Sequence, residues 1–191
     1  GSGKTVIAAL ASVHAFENGL QTALMAPTEL LAEQHFINMF NWLEPLGIKT
    51  AWISGRVTGK KRVKELSRIK TGDAAMIIGT HALFQKDVRF RNLGLVIIDE
   101  QHRFGVHQRL ALRAKGSAGN TSPHQLVMTA TPIPRTLSMS IYADMDVSVI
   151  DELPPGRTPV TTTVMSDEKR DSVISRVADA CIEGRQIYWV C

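Results

Sequence analysis

Leu93-Gly94-Leu95-Val96-Ile97-Ile98-Asp99-Glu100-Gln101-His102 is an apolar run that stops abruptly at two carboxylates. A run this apolar, ended by charge, reads as a strand buried on both faces, as a parallel sheet covered by helices requires. Similar runs stand at Thr22–Met25, Thr50–Ile53, Ala74–Ile78 and Gln125–Met128. Stretches of helical periodicity separate them. Lys4–Asn18 is expected to form a helix closed by Gly19. Thr28–Glu44 forms the next, with Thr28 as cap, Glu29 in the first turn, and Leu30, Phe36, Ile37, Phe40 and Leu43 on the core face. Thr58–Lys70 forms a third, with Val63, Leu66 and Ile69 inward and Gly72 ending it. The alternation predicts the α/β class: an open parallel sheet flanked by helices.

Ligands of open α/β sheets bind at the carboxyl ends of the strands, so Asp99 and Glu100 fall where chemistry is done. Two acids there can divide the work, Asp99 in a Mg²⁺ shell and Glu100 orienting and deprotonating a water. A solvated turn after a strand is the plainer alternative. About 95 residues upstream, Gly1-Ser2-Gly3-Lys4-Thr5 matches the end of the phosphate-loop pattern G-x-x-x-x-G-K-[ST]. In that pattern Gly1, Ser2 and Gly3 present backbone N–H groups, Lys4 reaches the phosphates and Thr5 ligates the metal. The first glycine of the pattern and the strand before it are expected to precede residue 1. A third strand ends in Thr129-Ala130-Thr131-Pro132, whose hydroxyls can bond Glu100 or His102 and sense a γ-phosphate. Ordinary strand-end turn chemistry would give the same residues.

Composition narrows the class. With 44% hydrophobic and 21% charged residues the chain can bury a real core, and its apolar runs are far shorter than a membrane span. Cys181 and Cys191 offer neither metal spacing nor a disulfide framework, so a reducing cytoplasm is the expected location. The net charge of +4 permits nucleic acid without requiring it. Seven basic residues between Arg56 and Lys70 (Arg56, Lys60, Lys61, Arg62, Lys64, Arg68, Lys70) face only Glu65. They form a solvated helix face or a sequence-blind DNA contact, without interleaved aromatics for base stacking. His14, His35, His107 and His124 show no ligand-like clustering and read as structural or surface residues.

Three prolines and a glycine between Asp151 and Pro159 can continue neither a helix nor a central strand. The expected division is a first domain over residues 1–150 lacking its first strand, a linker over 151–159, and the start of a second domain over 160–191. In the last part, Val160–Met165 and Gln186–Cys191 read as strands around a helix at Lys169–Glu183.

G-S-G-K-T, A-P-T-E-L-L-A-E-Q-H (26–35), D-E-Q-H and T-A-T resemble motifs I, Ia, II and III of superfamily 2 helicases and translocases, in order. The longer strings Asp99–Val106, Thr131–Leu137 and the Asp151–Pro159 linker resemble the bacterial helicases of that superfamily that act on branched DNA. T-A-T-P-I-P-R-T is shared with the transcription-repair coupling translocase, a same-class alternative. The resemblance implies a RecA-like P-loop NTPase fold, with ATP and Mg²⁺ as cofactors. It implies that Gly1, Ser2, Gly3, Lys4 and Thr5 bind ATP, that Thr5 and Asp99 hold the metal, and that Glu100 is the catalytic base. By the same resemblance Gln101, His102, Thr129 and Thr131 couple nucleotide state to DNA. Pro27, Thr28, Glu29, Gly79, Thr80 and His81 line the DNA track. The implied partner is branched DNA, at forks and Holliday junctions, handled by a monomer with no membrane role. The class supplies an arginine finger from the second domain, so these 191 residues alone are expected to turn over ATP barely. A P-loop NTPase powering transport or signalling, and a non-catalytic DNA-binding piece, are the readings from other classes.

Overall fold

The structure is a computed structural model, and it describes residues 3–100, 115, 122–130, 146–151, 156, 158 and 160–190. The chain divides into two compact units, Gly1–Glu152 and Leu153–Cys191.

In the first unit the described elements run α1 (Lys4–Glu17), β1 (Gln21–Met25), α2 (Glu29–Leu43), β2 (Thr50–Ile53), α3 (Gly59–Thr71), β3 (Met76–Gly79), β4 (Leu93–Asp99) and β5 (His124–Met128). The five strands form one sheet in the order β2-β3-β1-β4-β5, and every pairing is parallel. Both faces are covered, which is why β1 and β3 are buried at every position and read as unbroken apolar runs. Ala23, Met25, Ile53, Val96 and Ile98 pack on one face with Ile69 and Leu66 of α3. Leu24, Met76, Ile78, Leu95 and Ile97 pack on the other with Ala8 and Ala9 of α1 and Met39 and Leu43 of α2.

Local chemistry accounts for the element ends. The Thr28 hydroxyl accepts the Leu31 N–H at 3.3 Å and caps α2. Gly72, at φ +80°, closes α3 in a conformation that costs a Cβ-bearing residue energy. At the amino edge, the buried Gln21 side chain stitches three segments together. Its Nε2 donates to the carbonyls of Ile69 (2.9 Å) and Ala74 (2.8 Å), while Oε1 accepts from the backbone of Arg91 (2.7 Å) and Asn92 (3.0 Å). A buried amide this fully bonded stabilises the edge instead of penalising it.

Three expectations need correction. The core face of α2 is Ala32, His35, Met39 and Leu43, whereas Leu30 is 67% and Ile37 51% exposed and Phe40 is exposed too. Where a helix lies closest to a sheet, small or flexible side chains fit, so the bulkier ones turn to the flank. On α3 Val63 is likewise exposed, leaving Ile69 fully buried and Leu66 half-buried. In the second unit, a 3₁₀ turn at Asp167–Lys169 leads into α4 (Arg170–Ile182), but the described residues of Val160–Met165 and Gln186–Cys191 form no strand. A strand needs a neighbour to bond, and the described residues there supply none. Among the described residues no helix is long and apolar enough to cross a membrane.

Gly79, the last residue of β3, tests the packing at the carboxyl edge. A Cβ there would fall inside contact distance of the Ile53 carbonyl oxygen and 3.2 Å from Leu83 Cγ. Backbone on a paired strand cannot swing away, so Gly79→Ala is expected to destabilise by about 3 kcal/mol. Gly55→Ala, whose Cβ would meet only the Glu29 Oε1 at 3.8 Å, is expected to stay within about 0.5 kcal/mol of native. Urea unfolding followed by tryptophan fluorescence separates them, and equal midpoints would contradict the packing.

Candidate functional site

All five strands run the same way, so their last residues share one edge. Register fixes the level: Met25 pairs with both Gly79 and Ile98, Ile53 with Gly79, and Asp99 with Met128. The segments that leave this edge are Ala26–Thr28, Ser54–Gly55, Thr80–His81, Glu100 and Thr129. Helix α1 joins them by connectivity. Its carboxyl end turns through Gly19 into the start of β1, so its amino end, Lys4 and Thr5, lies toward the same edge. Side-chain alternation then puts Asp99 on the face of Leu95 and Ile97, which is the face α1 and α2 cover.

Gly3 caps α1 with φ +86° and no side-chain hydrogen bond, and the first turn of the helix holds no acid. The positive end of the helix dipole is thus left uncompensated by either device, which is the setting an anionic phosphate needs. Lys4 and Thr5 are half-buried there.

Asp99 is 8% exposed and both its oxygens are engaged. Oδ2 accepts from His35 Nε2 at 2.7 Å, and Oδ1 accepts from the Glu100 N–H at 3.1 Å. Glu100 has φ +50°, the one described non-glycine residue in the left-handed region. That conformation costs an L-residue about 1–2 kcal/mol and marks a place where side-chain direction outweighs backbone comfort. Hydroxyl and carboxylate oxygens, from Thr5 and Asp99, are the donors Mg²⁺ accepts, so the residues suit that ion.

On the β1 and β3 side of the edge, Glu29 ties three segments. Its Oε1 accepts from the Gly55 N–H at 3.2 Å and from the Thr80 hydroxyl at 3.5 Å. Thr28 and His81 are exposed, Pro27 half-buried, Gly79 and Thr80 buried. Thr129 is half-buried after β5. Gly1, Ser2, Gln101, His102 and Thr131 lie outside the described residues, as do most residues of the linker.

The basic run falls on α3 and the loop before it. Arg62 is neutralised by Asp87 at 2.8 Å; burial works to raise that carboxyl, but the guanidinium leaves it below the usual range. Arg68 bridges Glu65 (3.0 Å) and Asp73 (3.1 Å), and hydrogen bonds from Lys49 and Arg68 hold Asp73 low. Lys60, Lys61 and Lys64 are exposed and make no ion pair with the described residues. Of these, Lys60 and Lys61 stand in the first turn of α3 and oppose its dipole, an arrangement an external anion would relieve.

His35, read from the sequence as a structural or surface residue, is buried and bonded to Asp99, a contact 64 residues away along the chain. One signal was available: it falls in the 3–4 spacing of Ala32, Met39 and Leu43, where an imidazole is out of place unless something bonds it.

Comparison with known proteins follows the same line. A family model described as DEAD/DEAH box helicase matches residues 1–140. The chain is 62% identical over 192 residues to the ATP-dependent DNA helicase RecG of Haemophilus influenzae, covering 100% of this chain and 28% of that protein. The RecG of Escherichia coli strain K12 is also 62% identical over 192 residues, again with 28% of its length spanned. A solved structure of RecG bound to a three-way DNA junction matches with a TM-score of 0.80 at 43% identity, over 96% of this chain and 24% of that one. The DUF1998 helicase MrfA bound to DNA and AMPPNP matches with a TM-score of 0.55 over 73% of this chain and 19% of that one; at 15% identity this likeness concerns the fold alone. The parallel sheet with helices on both faces matches a RecA-like helicase domain.

Proposed function

The chain belongs to the DEAD/DEAH box helicase family, and from that premise we infer that it is part of the motor of an ATP-dependent DNA helicase acting on branched DNA. The observation that carries this reading is 62% identity to RecG over the whole chain. Stalled-fork reversal and Holliday-junction migration, in recombination and repair, are the tasks it implies. The division of the chain after Glu152 supports a first RecA-like domain over residues 1–150, a linker over 151–159, and the beginning of a second over 160–191.

In this reading Gly1–Thr5 and the amino end of α1 bind the β- and γ-phosphates of ATP, with Lys4 as the side-chain cation. Thr5 and Asp99 hold Mg²⁺, which when bound offsets phosphate charge. Glu100 accepts the proton of the attacking water, from a left-handed backbone position just past the end of β4. Gln101, His102, Thr129 and Thr131 report nucleotide state to the DNA side. There, Pro27–Glu29 and Gly79–His81 contact phosphates without reading bases, and Lys60, Lys61 and Lys64 extend the cationic surface. The protein acts in the cytoplasm as a monomer.

ATP hydrolysis by the full-length protein tests this directly. Stimulation is expected to be greatest with a three-way junction, lower with linear duplex and least with single-stranded DNA. Equal rates with and without DNA, or a preference for single strands, would contradict the reading.

A further inference from the structure

We propose that His35 is a positioning residue for Asp99: its imidazole fixes the carboxylate that holds the metal, from a helix that begins at the DNA track. The inference rests on the reading of Asp99 as a metal-holding residue. Four observations carry it. The His35 Nε2 to Asp99 Oδ2 distance is 2.7 Å, with the two side chains only 10% and 12% exposed. A carboxylate can only accept here, so Nε2 carries the proton and donates.

The opposite oxygen is held as well, by the Glu100 N–H. With one donor on each oxygen, the carboxylate plane cannot rotate. Each oxygen still keeps a second lone pair for another partner.

Position on α2 is the third observation. His35 occupies the buried stripe of Ala32, Met39 and Leu43, where an apolar residue would pack equally well but would take this donor away from Asp99 Oδ2. Its Nδ1 is buried and has no hydrogen-bond partner among the described residues. An imidazole kept in such a place, with one nitrogen unsatisfied, is a poor choice for packing alone. A histidine N–H holding a carboxylate ligand is instead the usual way a supporting residue fixes ligand geometry.

The fourth is the anchoring of α2 itself. Thr28 caps its first turn, and Glu29 in that turn binds Gly55 and Thr80. Any shift of α2 along its axis breaks these ties at one end and moves the His35 contact seven residues on. His35 is thereby the direct bond between the helix of the DNA side and the last residue of β4.

The test uses the full-length protein, Mn²⁺ in place of Mg²⁺, and a non-hydrolysable ATP analogue, with free Mn²⁺ followed by electron paramagnetic resonance. His35→Gln puts an amide N–H near the place of Nε2, whereas His35→Asn presents the same group one carbon short. The Asn variant is expected to raise the half-saturating Mn²⁺ concentration by about 10- to 100-fold, and the Gln variant to stay close to native. Thermal melting is recorded for both. Equal affinities in the two variants, at either level, would overturn the proposal. If the Asn chain does not fold, the Gln variant decides: affinity near native supports the proposal, and a tenfold loss overturns it. Asp99→Asn separates the proposal from the reading beneath it. Native Mn²⁺ affinity in that variant removes the metal-holding reading and the proposal together. Loss there, with native affinity in His35→Asn, removes the proposal alone.

Discussion

Lys4→Ala in the full-length protein is expected to lower DNA-stimulated ATP turnover by about 10³-fold or more, while DNA affinity without nucleotide stays near native. Removing a single donor aimed at developing charge costs about 10²–10³ in rate, roughly 2.7–4 kcal/mol. Lys4 adds a full charge, which places its loss at the upper end of that range or beyond it. The residue begins α1, where Gly3 offers no side-chain cap and the first turn holds no acid. No other side chain described at the amino end of α1 can replace its charge. The residues proposed to line the DNA track lie after β1 and at the end of β3, in segments other than α1, so binding of DNA is expected to be separable from turnover. Steady-state ATPase with a junction substrate and a fluorescence-anisotropy titration check both halves. ATPase activity that survived the change would mean that the phosphate-loop assignment is wrong.

Glu100→Gln is expected to reduce turnover by about 10²- to 10⁴-fold, the range a positioned general base contributes. Its signature differs from that of Lys4→Ala. Gln keeps the size and backbone of Glu and removes only basicity, so ATP and metal should bind as before, or the complex should even accumulate. The neighbouring Asp99 keeps its bond from the residue 100 N–H, because that bond is a main-chain one. A single-turnover experiment with labelled ATP therefore shows stoichiometric binding without product. Failure to bind ATP would assign Glu100 to the binding of nucleotide or metal instead of to proton transfer.

How much of this was legible in the sequence depends on what each residue's neighbours supply. The strand runs were legible because a parallel sheet covered on both sides demands unbroken apolar stretches, and Thr50–Ile53 formed as read. Thr28 and Gly72 were legible because caps are local chemistry. The strand order was not, since nothing in the pattern of β1 says that β3 and β4 flank it. Helix α2 was misjudged for a related reason. Periodicity marks an apolar face, but the sheet's closeness selected Ala32 and Met39 over Leu30 and Ile37. His35 was hidden in the same way, because its meaning lies in Asp99, 64 residues on. Val160–Met165 had strand composition without a described partner, and composition alone does not make a strand.

The central claim is that α1's amino end and the ends of β4 and β5 form one nucleotide site at the carboxyl edge of the sheet. A crystal structure of the full-length protein with Mn²⁺ and a non-hydrolysable ATP analogue tests it, the metal being located by its anomalous signal. The γ-phosphate is expected against Lys4, and the ion at the Thr5 hydroxyl with Asp99 as a direct or water-bridged partner. A nucleotide bound away from the start of α1, or a metal out of reach of both Thr5 and Asp99, would contradict the account.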